Sequence, residues 1–264
     1  MKKFSIVFYL VLIISLVACD QETQGNSVTP GPGNQPQADG SGSKELAPEQ
    51  IAEAEKLARE TALTALKDKI TTYKKKMADE KEAHGKIGTS KNEVDISDEL
   101  TGFTKDTDSA RIHASLGYDN ELIGKLNNLI MGLSTGGSIP AEEIKKVTNA
   151  FNMLIELDDT TNKILDEHLK AENLAKIEKD KAKIDTATRE LNAFIASRDA
   201  FIASIKKSIE AVLANNSTAD DAKAELKKIA DQTKTNAKAG ESGYYHSTVK
   251  AIEKNEKALA ELVK

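Results

Sequence analysis

The residue whose chemistry the sequence specifies most clearly is Cys19, the single cysteine among 264 residues. Two lysines, Lys2 and Lys3, open the chain, and an apolar run follows from Phe4 to Val17. A charged start and an apolar stretch too short to span a membrane are typical of a secretory signal. The segment Leu16-Val17-Ala18-Cys19 also matches the bacterial lipobox, in which the thiol receives diacylglycerol before cleavage.

Lipidation also explains why Cys19 has no partner cysteine. An exported protein with one cysteine would otherwise carry an unpaired, oxidisable thiol. We therefore predict that residues 1–18 are removed as a signal peptide and that Cys19 becomes the lipid-bearing first residue. The alternative is a simply cleaved signal that leaves a free thiol. Each buried acyl CH₂ contributes about 0.8 kcal/mol, so several acyl chains, palmitate among them, would anchor the protein durably in a membrane.

A second motif with chemical potential is the string Gly132-Leu133-Ser134-Thr135-Gly136, which fits the G-x-S-x-G pattern of serine hydrolases. That pattern works where a strained strand-to-helix turn exposes the serine above a sheet. Here an amphipathic helical run, Leu126 to Met131, precedes it. We interpret the string as a helix-ending turn and predict that the protein is not an enzyme. A hydrolase that uses Ser134 is the minor alternative.

The sequence carries no recognisable metal-binding motif. The acidic segments Asp95–Glu99 and Asp106–Asp108 lack the ligand spacing of a calcium loop, so a weak surface cation site is the alternative there. Lipidation of Cys19 excludes a cysteine-based zinc site. The Glu167-His168 pair is interpreted as a surface or packing pair. Four histidines are scattered without zinc-site spacing: His84, His113, His168 and His246. We predict no metal and no cofactor.

Two residue clusters could bind macromolecules. The triplet Lys74-Lys75-Lys76 could contact a polyanion, although such triplets are more often the solvated face of a helix. The cluster Tyr244-Tyr245-His246 lies beside a glycine turn and could form a binding hot spot. The favoured interpretation is structural, with one tyrosine packed under the last helix and the other covering it.

The elements that must position these residues begin with a linker. Residues Asp20 to Ser43 are rich in glycine, proline, glutamine and asparagine, and only Val28 and Ala38 are apolar. Such a segment cannot bury enough surface to offset the entropy of ordering it. We predict three regions: a signal peptide at 1–18, a lipidated disordered tether at 19–43 and a helical domain at 44–264.

Glycine and proline spacing predicts the fold of that domain. No proline follows Pro140, and no glycine occurs between Pro140 and Gly240. Apolar residues recur at steps of three and four, as one helix face requires. We predict an all-α fold, an antiparallel bundle of five to six helices with one unusually long helix, on the disordered N-terminal tether. The first predicted helix runs from Pro48 to just before His84. The second region, Ser109 to Leu133, is divided at Gly117, with Asp119 as the cap of its second part, and the third begins at Pro140, with Asp158–Thr160 as an interruption or a cap. The remaining predicted helices are Thr161–Ala214, Ala219–Ala239 and Tyr244–Val263.

Composition limits the partners. Thirty per cent of the residues are charged, both signs are mixed, and the formal net charge is −5. A nucleic-acid-binding domain would carry a clearly basic patch, so we predict no nucleic-acid partner.

One stretch resembles a known family. Arg111-Ile112-His113-Ala114-Ser115-Leu116-Gly117-Tyr118-Asp119 is similar to the "R-I-x-x-S-L-x-Y" segment of the CspA-type paralogous family of Borrelia, the complement-regulator-acquiring surface proteins. The apolar positions that follow match the helix after that segment: Ile123, Leu126, Leu129 and Ile130. The signal ending in Cys19, the tether and the helical layout agree with the resemblance, which covers the chain from Ser109 to Lys264.

The resemblance implies a helical bundle on the bacterial outer surface that binds host proteins and catalyses nothing. A homodimer is implied as one candidate assembly, and a complement component as one candidate ligand. Because the paralogues differ in ligand, the fold does not identify it. We expect a lipoprotein of the outer membrane, exposed at the cell surface, that binds a host macromolecule. The alternative is a periplasm-facing structural or assembly lipoprotein with a bacterial partner.

Overall fold

The computed structural model describes residues 47–86, 100, 102–134, 138–214 and 218–264. The predicted signal peptide, Cys19, the predicted tether and the acidic segment Asp95–Glu99 lie outside the described residues. All described residues belong to one compact unit, Leu46–Lys264.

The prediction of an all-α fold is confirmed, since the described residues contain eight helices and no strand. In chain order the helices are α1 Pro48–Lys86, α2 Lys105–Ser115, α3 Asn120–Met131, α4 Ala141–Asn162, α5 Ala171–Ile177, α6 Lys181–Ala214, α7 Ala219–Ala230 and α8 Tyr244–Leu262. A π-helical segment, Lys163–His168, continues α4.

The helix count exceeds the predicted five to six because the region predicted as Thr161–Ala214 is broken twice. The backbone leaves the helical conformation at Leu169 and is extended at Lys170, just before α5. A second break precedes α6, where the Asp180 carboxylate accepts a hydrogen bond from the Lys183 amide at 3.1 Å. By contrast, the segment Asp158–Thr160 lies inside α4 and does not interrupt it.

Helix lengths and ends also differ from the prediction. Two helices are unusually long, α1 with 39 residues and α6 with 34. Helix α2 begins at Lys105, four residues before the predicted Ser109, because the Asp108 carboxylate accepts the Thr104 amide at 2.7 Å. Helix α7 ends at Ala230, well before the predicted end at Ala239, because the backbone adopts an extended conformation at Asp231.

Helix α6 is the centre of the bundle. Its fully buried side chains include Ile184, Leu191, Phe194, Phe201, Ile205 and Ile209. Helix α8 packs against it in the antiparallel sense, with Tyr245 near Ser208 and the chain end near α5, where Lys176 donates to the Val263 carbonyl.

Helices α1 and α3 run in the same direction as α6. In α1, Tyr73 contacts Phe194, and one turn later Lys76 bonds Asp199 at 3.0 Å. In α3, Lys125 bonds Glu210 at 3.0 Å. The apolar stripe predicted for α1 faces the core, with Leu66, Ile70 and Tyr73 buried and Leu63 and Met77 packed against them.

None of the helices in the described ranges is both long enough and apolar enough to span a membrane.

Candidate functional site

The stretch Arg111–Asp119 forms a corner between α2 and α3, and we call these nine residues the corner. The Gly117 amide donates to the Ala114 carbonyl at 3.0 Å and the Tyr118 amide to the His113 carbonyl at 2.8 Å. These two bonds close the last turn of α2 in the pattern of a Schellman motif. Both Gly117 and Tyr118 have positive φ, 67° and 54°, which is uncommon for a residue other than glycine.

Glycine is needed at position 117 because the corner lies directly on α6. A Cβ atom at Gly117 would approach the Ile202 side chain to 3.4 Å, on a backbone that already favours glycine. The neighbouring Leu116 is fully buried. The corner is therefore a docking element for the central helix.

Three further contacts fasten the corner to its neighbours. The buried Ser115 hydroxyl donates to the Leu154 carbonyl of α4. The Asp119 carboxylate accepts the Leu122 amide at 3.0 Å, which confirms the predicted cap of α3, and pairs with Lys206 at 2.8 Å. Burial alone would raise the pKa of Asp119, but the hydrogen bond from Lys206 holds it below its ordinary value.

Arg111 provides a surface clamp beside the corner. Its guanidinium bonds Asp108 of the same helix at 3.1 Å and also pairs with Asp159 of α4. Arginine suits this role because its planar group can hold two carboxylates at once. The Asp108 carboxylate, part of the acidic segment considered for a cation, is thus already bonded to the Thr104 amide and to Arg111.

Beneath the corner lies Arg198, a charged residue that occupies an apolar position of α6 and is 2 % exposed. Its guanidinium donates to the Ala114 carbonyl at 2.6 Å and to the Tyr73 hydroxyl at 3.1 Å. The Arg198 Nε atom and the Glu80 Oε2 atom are buried without a hydrogen-bond partner among the described residues. Burial raises the pKa of Tyr73 and of Glu80. One side chain thus joins α1, the corner and α6.

The corner also brings two histidines together, which the sequence spacing did not reveal. The rings of His84 and His113 lie 4.8 Å apart in an edge-to-face arrangement. His84 Nδ1 is 2.7 Å from the Asn120 side-chain oxygen, and His113 Nε2 is 3.4 Å from the Ser109 hydroxyl. Burial, together with the nearby His84, lowers the pKa of His113 to about 4. His113 is therefore neutral over most of the physiological range.

No group of three potential metal ligands occurs in the part of the chain that the structure describes. His168 is only partly buried and its Nε2 lies 2.6 Å from the Glu256 carboxylate of α8, so it joins the π-helical segment to the last helix. The prediction that the protein binds no metal and no cofactor stays a prediction.

Ser134 lies exposed directly after α3, and its amide donates to the Met131 carbonyl at 3.1 Å. A helix therefore precedes the serine where the hydrolase motif requires a strand. The interpretation as a helix-ending turn is confirmed for Gly132, Leu133 and Ser134, while Thr135 and Gly136 lie outside the described residues.

The lysine triplet is engaged in ion pairs. Lys74 pairs with Asp166 at 2.7 Å and Lys75 with Asp79 at 2.9 Å, and Lys76 pairs with Asp199. These side chains are largely exposed, so each pair contributes little to stability, typically below about 1 kcal/mol. The interpretation as a solvated helix face is favoured, because each ammonium group already has a carboxylate partner.

The tyrosine cluster is structural in part. Tyr245 is buried, its hydroxyl donates to Ser208 at 2.8 Å, and its ring packs on Phe201. Tyr244 is only partly buried and covers the Tyr245 ring at 5.4 Å. This confirms the prediction that one tyrosine is packed and the other covers it. Burial, the largest influence, lowers the pKa of the neighbouring His246.

Comparison with protein-family models, with curated proteins and with solved structures found no match.

The lowered pKa of His113 predicts an acid-sensitive corner. The unfolded chain binds a proton on this side chain near pH 6.5, whereas the folded protein resists protonation until about pH 4. Above pH 6.5 the His113 side chain is neutral in both states and does not change the free energy of unfolding. As the pH falls from 6.5 to 4.5, the unfolded chain binds a proton that the folded protein does not. The free energy of unfolding therefore falls by about 2–3 kcal/mol, at about 1.4 kcal/mol per pH unit.

The test compares the wild type with His113→Gln in chemical denaturation at pH 7.5 and pH 4.5. Glutamine keeps a polar group near Ser109 but does not titrate. We expect the wild type to lose about 2–3 kcal/mol more than the variant between the two pH values. Equal losses in both proteins would show that His113 is not held neutral by the fold.

Proposed function

We propose that the protein is a lipid-anchored lipoprotein of the bacterial outer surface that binds a host macromolecule and is not an enzyme. A complement component is the first candidate ligand. The observation that carries the proposal is the lipobox ending at Cys19, followed by the tether-like segment of residues 20–43. A lipid and a flexible linker would hold the helical domain clear of the membrane, where a macromolecule can reach it.

The internal contacts of the domain support a role for its outer surface. The corner that carries the family-like motif is used for packing, since Leu116 is buried and Ser115 and Ala114 bond α4 and α6. A partner would therefore contact the exposed helix faces. That placement agrees with a family whose members share a scaffold but differ in ligand, because surface residues can change without disturbing the corner.

Large apolar side chains are exposed near the ends of α1, α3 and α6. Met131 is 60 % exposed at the end of α3, and Leu213 is 39 % exposed near the end of α6. Because α3 and α6 run in the same direction, both residues lie toward the same end of the bundle. Ile51 is 45 % exposed near the start of α1, close in sequence to the proposed tether. Exposed apolar groups that share one end of a bundle can form a contact surface, so Met131 and Leu213 are useful probes, whereas a single exposed side chain such as Ile51 is normal on a protein surface.

A periplasm-facing lipoprotein with a bacterial partner is the second candidate. Asp20, directly after the lipidated cysteine, favours retention in the inner membrane in enteric bacteria. Such a protein would have the same anchor and the same domain but would be shielded from added proteases.

Protease treatment of intact cells separates the two proposals. We expect added protease to remove the protein from intact cells because a surface protein is accessible. In a Cys19→Ala strain, which cannot be lipidated, the protein should no longer fractionate with membranes. A periplasmic protein of known location in the same cells serves as the control for cell integrity. Full protection of the wild type, with loss only after cell lysis, would contradict surface exposure.

Ligand binding is tested with immobilised protein and human serum, followed by direct binding of purified factor H. We expect saturable binding, and we expect Met131→Lys to weaken it by about tenfold because a central contact is commonly worth more than 1 kcal/mol. Ile51→Lys is the matched control, since it places the same charge at the tether end. Absence of any specifically retained serum protein would contradict the proposal of a host ligand.

A further inference from the structure

A cavity of about 480 Å³, wide open to solvent, lies between α6, α8 and the connecting segment 231–243. Its volume is in the range of roughly 300–1,000 Å³ that is usual for small-molecule sites. Ten residues line it, among them Ala196, Ser197 and Ala200 from α6, Thr235 and Asn236 from the connecting segment, and Tyr244 from α8. The cavity is separate from the corner and from Met131.

The lining has a distinctive chemistry, because none of the ten residues is charged although charged residues make up 30 % of the chain. Hydroxyl groups come from Ser197 and Thr235 and a carboxamide from Asn236, while the Thr248 hydroxyl donates to the Tyr244 carbonyl at 2.9 Å. Hydroxyl and carboxamide groups both donate and accept hydrogen bonds. An ionised ligand would find no counter-charge among these residues, so the lining favours a neutral ligand with many hydrogen-bonding groups.

Tyr244 and two alanines supply the apolar part of the lining. Tyr244 is partly exposed, and its ring makes an edge-to-face contact with the ring of the buried Tyr245, with 5.4 Å between the ring centroids. Ala196 and Ala200, one helical turn apart on α6, are both exposed and present only methyl groups. A tyrosine ring and methyl groups suit the C–H face of a ligand whose other groups are hydroxyls, and tyrosine loses little conformational entropy on binding.

The connecting segment that lines one side of the cavity is held in place by internal hydrogen bonds. The Ser247 hydroxyl accepts the Ala237 amide at 3.0 Å and contacts the Lys234 carbonyl at the same distance. The Asp231 carboxylate accepts hydrogen bonds from Ser242 and Thr233, which lower the pKa of Asp231 to about 2.

Gly243 ends the segment with φ of 84°, and a Cβ atom there would lie 2.9 Å from the Lys234 Cβ. Lys234 and Gly243 therefore pack closely together, and a larger residue at position 243 would clash with Lys234. A wall that is already ordered needs no further ordering when a ligand enters, which favours binding.

We propose that this cavity binds a neutral sugar. A pyranose ring has hydroxyl groups for Ser197, Thr235 and Asn236 and a C–H face for Tyr244 and the alanine wall. The inference stands on the lining alone and does not depend on the proposed function, since a sugar could come from a host glycoconjugate or from the bacterial envelope.

The probes are N-acetylglucosamine and galactose, with glucuronate as the charged comparison. Each is titrated onto the full-length protein in a detergent without a sugar head group, and binding is followed by saturation-transfer NMR. We expect saturable binding of at least one neutral sugar and binding of glucuronate that is at least about tenfold weaker, as expected for an uncompensated charge. No saturable binding of either neutral sugar, or tighter binding of glucuronate, would overturn the proposal.

Two matched variants locate the site. Ala196→Leu fills the cavity from an exposed position of α6, and Ala203→Leu makes the same change at an exposed position of α6 that does not line the cavity. We expect at least about tenfold weaker sugar binding for Ala196→Leu and an unchanged affinity for Ala203→Leu. Equal affinities in the two variants would overturn the site. Serum binding is measured separately, so its outcome leaves this test unaffected.

Discussion

The buried guanidinium of Arg198 is the constraint on which the arrangement of the helices depends. An arginine keeps its positive charge at physiological pH, and a buried charge is costly unless polar partners surround it. Here the partners come from two other elements, the Tyr73 hydroxyl of α1 and the Ala114 carbonyl at the corner. These two bonds are made together only when α1, α2 and α6 meet in one register. Arg198 therefore selects one arrangement from the several that aliphatic packing alone would allow.

The features of the corner follow from this requirement. Gly117 permits the close approach to Ile202, the Ser115 hydroxyl bonds α4, and Asp119 both begins α3 and pairs with Lys206 of α6. The stretch Arg111–Asp119 thus has a structural explanation that needs no ligand. Because the corner is used for packing inside the bundle, the proposed functions are placed on the outer surface and in the cavity beside Tyr244.

The sequence predicted the parts of the fold that depend on local patterns. Glycine and proline spacing indicated an all-α domain, and Asp119 was correctly predicted as a cap. The break at Leu169 was missed because neither glycine nor proline marks it, and tertiary packing of the buried Leu165 and Leu169 overrides the local helical preference. The pairing of His84 with His113 and the partners of Arg198 were missed because they join residues distant in sequence. The cavity was missed for the same reason, since α6 and α8 form it together.

The most direct test of the central claim compares Arg198→Met with Arg189→Met, two changes on the same helix. The Arg189 side chain is 69 % exposed, whereas Arg198 is 2 % exposed. Methionine at position 198 fills the space but removes the charged donor to the Tyr73 hydroxyl and to the buried Ala114 carbonyl, which then keeps only its bond from the Gly117 amide. The account predicts a loss of about 2–4 kcal/mol in the free energy of unfolding for Arg198→Met and less than about 0.5 kcal/mol for Arg189→Met. Equal stabilities of the two variants, measured by denaturant titration, would contradict it.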